Sequence, residues 1–291
     1  PYEGEYYIKN EKQPDVVNQR TKENYQMYKD IGYDILLLDG DNPYPERDGK
    51  PYEESLLKKQ LDWASEIGLK VIVYDSRVFN LTVKTEGSLL GTPRTVNGIA
   101  VNFAKFEDLV EYVRGCMEDY MYHPAFIGMT LYDEPEYKYL QAYGEIYRAI
   151  KAVKEDALVH AELSYMNPWL PESYFTGENN GGSLRKNYEI FIEKFLNEAQ
   201  TDYLDYDHYP LQRDENTGEN MISSTYITTL QIVIKSIYAR NKNSGFTLTI
   251  SSAGEVCPGK VSIRNNTRED LRWQGNMGLA FGAKNISYYT Y

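Results

Sequence analysis

Short β-rich apolar runs alternate with amphipathic helical stretches, glycines stand at three helix-to-strand junctions, and no strand is followed by a phosphate-binding glycine loop. These observations predict an α/β fold, and within it a (β/α)8 TIM barrel forming a single domain over residues 1–291. Alternation of this kind calls for parallel strands joined by right-handed crossovers, since a tight hairpin can join only antiparallel strands. A doubly wound open sheet is the runner-up. The absence of GxGxxG and GxxxxGK(S/T) loops counts against it.

An opening strand is expected near residues 6–8 and a helix over about 16–30. Ile35-Leu36-Leu37-Leu38 is apolar but only of strand length, and an amphipathic helix follows over 52–67. Val71-Ile72-Val73-Tyr74 is the third strand, and a helix over 106–120 leads to the fourth at 126–131. Helix 137–154, strand 158–163, helix 188–199 and strand 203–206 repeat the unit, as do helix 223–241, strand 246–250, helix 267–281 and strand 286–289. In Ile31-Gly32-Tyr33, Ile67-Gly68-Leu69 and Phe281-Gly282-Ala283 the glycine stands where a helix C-cap needs positive φ. Two inserts, 76–105 and 164–187, follow the third and fifth strands at the end where barrels build their sites, and the glycines of the second predict mobility. The start at Pro1 and the end at Tyr291, inside a strand, suggest trimming at both ends.

Composition narrows the function. With 31 basic and 43 acidic residues the net charge of −12 repels nucleic acid and anionic lipid, and no apolar run approaches a membrane span. Two cysteines, Cys116 and Cys257, build neither a disulfide framework nor a zinc-type pair. Tyrosine is abundant, 28 against 9 Phe and 3 Trp, and its flat ring with a hydroxyl suits a wet cleft that binds a polar ring such as a sugar.

The predicted strand ends carry Asp39, Asp41, Asp75, Arg77, Asp133, Glu134, Glu162, Asp207, His208 and Glu255, so acidic groups collect on one rim. Carboxylates brought together there raise one another's pKa values. The sharpest local feature is Tyr132-Asp133-Glu134-Pro135, two adjacent carboxylates at a strand end stopped by proline. A carboxyl group with a raised pKa is what protonation of a glycosidic oxygen requires, although Asp133 and Pro135 would equally suit a helix start. Trp169, Tyr209 and Tyr289 lie at or beyond strand ends, where rings could stack on sugar faces. Because strand side chains alternate, only one of Asp207 and His208 can face the axis, whereas Glu162 can either point inward or line the site as a salt-bridged residue.

The Asp133-Glu134-Pro135 stretch, Tyr206-Asp207-His208-Tyr209-Pro210, Leu271-Arg272-Trp273-Gln274 and the closing residues 279–291 together resemble bacterial clan A glycoside hydrolases. The chain is loosely similar to family 42 β-galactosidases among them. The resemblance implies a (β/α)8 glycosidase with Glu134 as general acid/base at the end of strand four. It also implies a nucleophile at the end of strand seven, where Glu255 is the available carboxylate. Clan A usually has Asn before the acid/base; here Asp133 stands there, able when ionised to accept but not to donate a bond to a sugar hydroxyl. Asp207 and Glu162 are the alternatives for the second carboxylate.

A glycoside hydrolase acting on oligo- or polysaccharide by two carboxylates is therefore the expected function. With Glu255 as the second carboxylate, about 5–5.5 Å from Glu134, retention is expected; with Asp207 or Glu162, about 6.5–9.5 Å away, inversion is expected. The second hypothesis is a carbohydrate-binding barrel without turnover. A metal-dependent hydrolase built on Asp207 and His208 ranks third, since His123, His160 and His208 form no HxH or HExxH spacing. No cofactor is expected, a carbohydrate is the expected partner, and the resemblance favours a secreted or cell-surface bacterial setting.

Overall fold

A computed structural model of the chain describes residues 2–3, 20–38, 44–45, 49–179, 181–214, 216–252, 254 and 261–289. The expected strand near 6–8, the start of the first helix, Asp39, Asp41 and Glu255 lie outside these residues. Strands and long helices alternate as β1 (Tyr2–Glu3), α1 (Lys22–Asp30), β2 (Ile35–Leu38), α2 (Leu56–Ile67) and β3 (Lys70–Val73). The order continues with α3 (Phe106–Met117), β4 (Phe126–Thr130), α4 (Leu140–Val153) and β5 (Leu158–His160, resumed at Glu162–Leu163). It ends with α5 (Leu184–Ala199), β6 (Leu204–Asp207), α6 (Tyr226–Arg240), β7 (Phe246–Ser251), α7 (Arg268–Ala280) and β8 (Ala283–Tyr289).

Each strand pairs in parallel with the next in chain order. The first half of β5 pairs with β4 and its second half with β6, so two parallel sheets meet at Ala161. There the Asp205 carboxylate takes the Ala161 N–H at 3.2 Å. β2, β3 and β5 are buried at almost every position, as parallel strands covered on both faces must be. Gly128 shows how closely β4 approaches β5: a Cβ there would stand 2.1 Å from the Leu158 carbonyl oxygen. Gly32, Gly68 and Gly282 have φ of +102°, +82° and +97°, as the junction pattern predicts.

The two inserts hold more structure than their sequences suggest. Residues 76–105 contain the short helix Ser76–Thr82 and the hairpin strands Arg94–Val96 and Ile99–Val101. Residues 164–187 contain the helix Glu172–Thr176, and the expectation of mobility is corrected by its packing. Phe175 is fully buried against Tyr188 and Phe191 of α5, and the Glu172 carboxylate receives the N–H groups of Gly181 and Gly182 and the Asn187 amide. A small antiparallel sheet of Leu211–Asp214, Asn220–Ile222 and Val261–Ile263 was not expected at all. Its strands are only three or four residues long, too short for an apolar period to betray them.

Asp75 and Arg77 belong to the fold rather than to an open site. Asp75 is wholly buried, and Arg77 binds it in bidentate fashion at 3.1 and 2.8 Å, with Tyr120 donating to it at 2.8 Å. Burial pushes the Asp75 carboxyl up, while Arg77 and Tyr120 pull it back down. No surface of Asp75 is left for a sugar, which corrects the expectation of a substrate contact. Removing one partner of a buried pair strands the other charge, so Arg77→Met is expected to cost about 3 kcal/mol of stability in urea unfolding.

Candidate active site

The site grows from the alternation of β5 and β6. His160 and Glu162 share one side of β5, Asp205 and Asp207 share one side of β6, and Glu162 pairs directly with Asp205. The intervening Ala161, Leu163 and Tyr206 are buried in the apolar core cluster. Stacked carboxyl groups therefore rise through the interior toward the C-terminal rim, where the segment after β4 brings in Asp133 and Glu134.

That segment is tied down at successive residues. Leu131 N–H donates to the His160 carbonyl at 2.8 Å, and Tyr132 N–H to the Thr82 hydroxyl at 3.2 Å. Glu134 N–H donates to the Glu162 carbonyl at 3.0 Å, and the Tyr174 hydroxyl donates to the Glu134 carbonyl at 2.8 Å. Glu134 itself has φ +46°, a left-handed conformation costing about 1–2 kcal/mol for a residue with a Cβ. Those two hydrogen bonds are what hold the strained residue in place. Tyr174→Phe is accordingly expected to cost about 1 kcal/mol in urea unfolding, the loss of one hydrogen bond.

The Glu134 and Asp207 carboxyls act on each other electrostatically. Asp133 and Glu134 keep more than a third of their surface open, while Asp207 is 7 % exposed. The two rim carboxyls thus touch solvent at the mouth, yet protein atoms surround them at slightly longer range. Burial lifts the Asp207 carboxyl well above its ordinary value, with repulsion from Glu134, Glu162 and Asp133 adding to it. Burial also raises Glu134, with Ser164 and Asp207 opposing and Glu162 reinforcing the shift. Asp133 is raised to about 7 by burial and by the charges of Glu162 and Glu134. Carboxyls that repel one another cannot both ionise cheaply, which is why both are pushed upward.

Other expected site residues are placed differently. His208 is fully buried, stacks on Tyr165 at 4.0 Å, meets Ser223 at 3.0 Å through Nε2 and is held near pKa 3 by burial, hence neutral. Asp207 and His208 therefore do not act as a pair: alternation turns one to the axis and the other to the outer layer. Glu162 is 4 % exposed and lies 3.8 Å from His160, which makes it a floor beneath the rim rather than a sugar contact. Tyr209 and Tyr289 stack at 5.5 Å and 25°, both half-buried, and Tyr209 also reaches Asp207. Trp169 is 72 % exposed in the second insert. β7 ends at Ser251 and Ser252.

His160, Ser164 and Tyr174 join the site without having been expected there. His160 had a signal, its place two residues before Glu162 on one strand; Tyr174 had none, because its role depends on how the insert folds back. A cavity of about 1830 Å³ opens elsewhere, lined by His160, Asp205, Tyr203 and Lys151, and it includes neither Glu134 nor Asp207. Among the described residues no group of three or more His, Cys, Asp or Glu could hold a metal ion, and no helix is long and apolar enough to cross a membrane.

No protein-family model and no curated protein sequence matches the chain. Solved structures do. A Bacteroides thetaiotaomicron protein provisionally assigned as an alpha-L-fucosidase has a TM-score of 0.58 at 12 % identity, over 99 % of this chain and 85 % of that one. A β-galactosidase from Marinomonas ef1 has a TM-score of 0.55 at 11 % identity, over 99 % and 53 %. A family 5 glycoside hydrolase from Bacteroides vulgatus has a TM-score of 0.52 at 11 % identity, over 92 % and 55 %. The chain spans about half the length of the last two. At such identities the likeness is one of fold: this is an α/β protein with parallel sheets of the kind found in glycoside hydrolases.

Proposed function

We propose that the chain is a glycoside hydrolase that cleaves O-glycosidic bonds with retention, using Glu134 as general acid/base and Asp207 as nucleophile. The observation that supports it most is the mutual repulsion of these two carboxyls, one open at the rim and one buried below it. Retention is the reading in which the second carboxyl acts on the anomeric carbon directly, with no water between. In this reading β8 closes against β1 to complete a (β/α)8 barrel, and the loose similarity to family 42 belongs to the same proposal.

In the starting state the pair carries one proton, on Glu134, with Asp207 ionised. Asp207 attacks the anomeric carbon while Glu134 protonates the leaving oxygen, so the glycosidic C–O bond breaks and a glycosyl ester forms on Asp207. Glu134, now a carboxylate, takes a proton from water; the water oxygen displaces Asp207 and releases the sugar. Tyr209 and Tyr289 offer a stacked aromatic wall beside Asp207, and Trp169 an exposed ring for a longer glycan.

Proton NMR of the first-formed product from a panel of aryl glycosides tests this, with retained anomeric configuration expected and inverted product counting against it. A second reading, binding without hydrolysis, is favoured by Ser251 and Ser252 at the end of β7, where clan A enzymes carry their nucleophile. Calorimetric binding of glycans that are never turned over would select it.

A further inference from the structure

His160 lies beneath the carboxyl pair, and nothing in the proposed chemistry uses it directly. Its Nδ1 is 3.4 Å from Asp205 Oδ2 and its Nε2 is 3.8 Å from Glu162 Oε2, with 7 % of the side chain exposed. Both partners are tied to the site. Asp205 bridges the break in β5 through Ala161 N–H, and Glu162 holds the Glu134 backbone through its carbonyl. Asp133 faces the same group from the segment after β4; from α4, Tyr143 lies near Asp133 and Glu162, and Tyr147 near Asp205; Tyr203 approaches Asp205 from the start of β6. Among the described residues no Lys or Arg forms an ion pair with Asp133, Glu134 or Asp207, while Asp205, Glu162 and Asp133 around His160 are all carboxyls.

Resting on the hydrolase reading, we propose that His160 is a positioning residue whose imidazolium offsets Asp205 and Glu162 and thereby sets the proton load of the carboxyls above them. A buried imidazolium is retained where carboxylates lie close to it, and here one stands on each side of the ring, nearer on the Nδ1 side. Burial by itself would strip its proton, but the bonds to Asp205 and Glu162 prevail and lift it to about 10. The same charge acts upward, lowering Asp133 against the pull of its acidic neighbours.

The chain has only three histidines, so imidazole NMR of the wild-type protein can follow each across pH, with His160→Gln identifying the signal. His160 is expected to remain protonated through pH 8, and Glu162→Gln to lower its midpoint by about one pH unit or more. A His160 midpoint at or below the ordinary histidine value overturns the proposal, whatever the enzyme's activity. The basic limb of kcat/KM should then move in opposite directions in two variants: upward in His160→Gln, where a cation is lost, and downward in Glu162→Gln, where an anion is lost. A merely structural role would lower activity in both without moving the limb, and that result would overturn the proposal while leaving the hydrolase reading intact. Absence of turnover in the wild type would instead remove the hydrolase reading, and the positioning role with it.

Discussion

Glu134→Gln is expected to lower kcat by about 10³-fold on glycosides with poor leaving groups, the contribution of a well-placed general acid. The loss should shrink sharply for activated aryl glycosides, whose leaving group needs no proton, and KM should change little because the amide keeps the shape of the carboxyl. The pH profile adds a check of sign. On the proposed mechanism activity requires one proton on the Glu134–Asp207 pair, so it should fall at low pH as the second carboxyl is protonated and at high pH as that proton leaves. Both carboxyls are raised, which places the active range higher than for free carboxylates. The glutamine cannot lose a proton, so the basic limb should disappear from the variant. Steady-state rates on a matched leaving-group series, measured from pH 4 to 9, decide it; unchanged kcat across the series would remove Glu134 from the mechanism.

Asp207→Asn is expected to be more severe, on the order of 10⁴-fold or greater, because the proposed mechanism loses its nucleophile outright. Asp207→Gly with azide should yield a glycosyl azide of inverted configuration, detectable by NMR, since azide would enter from the face that Asp207 vacates. Failure to trap any azide product, with turnover near wild type, would assign the nucleophile elsewhere. Stability should move the other way. The folded-state pKa of Asp207 is raised, so its contribution is fully present below the unfolded-state value near 4 and is lost as pH rises through the folded-state value. Asparagine carries no such penalty, so the melting temperature of the variant should pull ahead of wild type as pH rises from 4 to 8. This is the stability given up at a functional site for a strained arrangement of charge.

Much of this site is visible in the sequence once strand alternation is taken seriously. The spacing of His160 with Glu162, and of Asp205 with Asp207, puts all four on the inner side of their strands. Asp207 and Glu134 were both singled out by their place at strand ends, and the alternation of Asp207 with His208 already required one of them to turn away. Asp75 misled for the same reason: position at a strand end does not distinguish a residue open to the cleft from one sealed by an arginine two residues on. The second insert misled differently, because its glycines suggested freedom while Phe175 and Glu172 anchor it.

What the sequence by itself determined is the order of strands and helices, the cap glycines and the gathering of acidic residues at strand ends. These follow from local periodicity and backbone sterics, which act over a few residues and can be read along the chain. Only the tertiary structure decided that Glu134 and Asp207 act on each other, that Tyr174 pins the left-handed Glu134, and that His160 lies between two carboxylates. Those facts are set by through-space distance between segments far apart in the chain. Electrostatic coupling depends on that distance and on exclusion of water, neither of which a local pattern encodes.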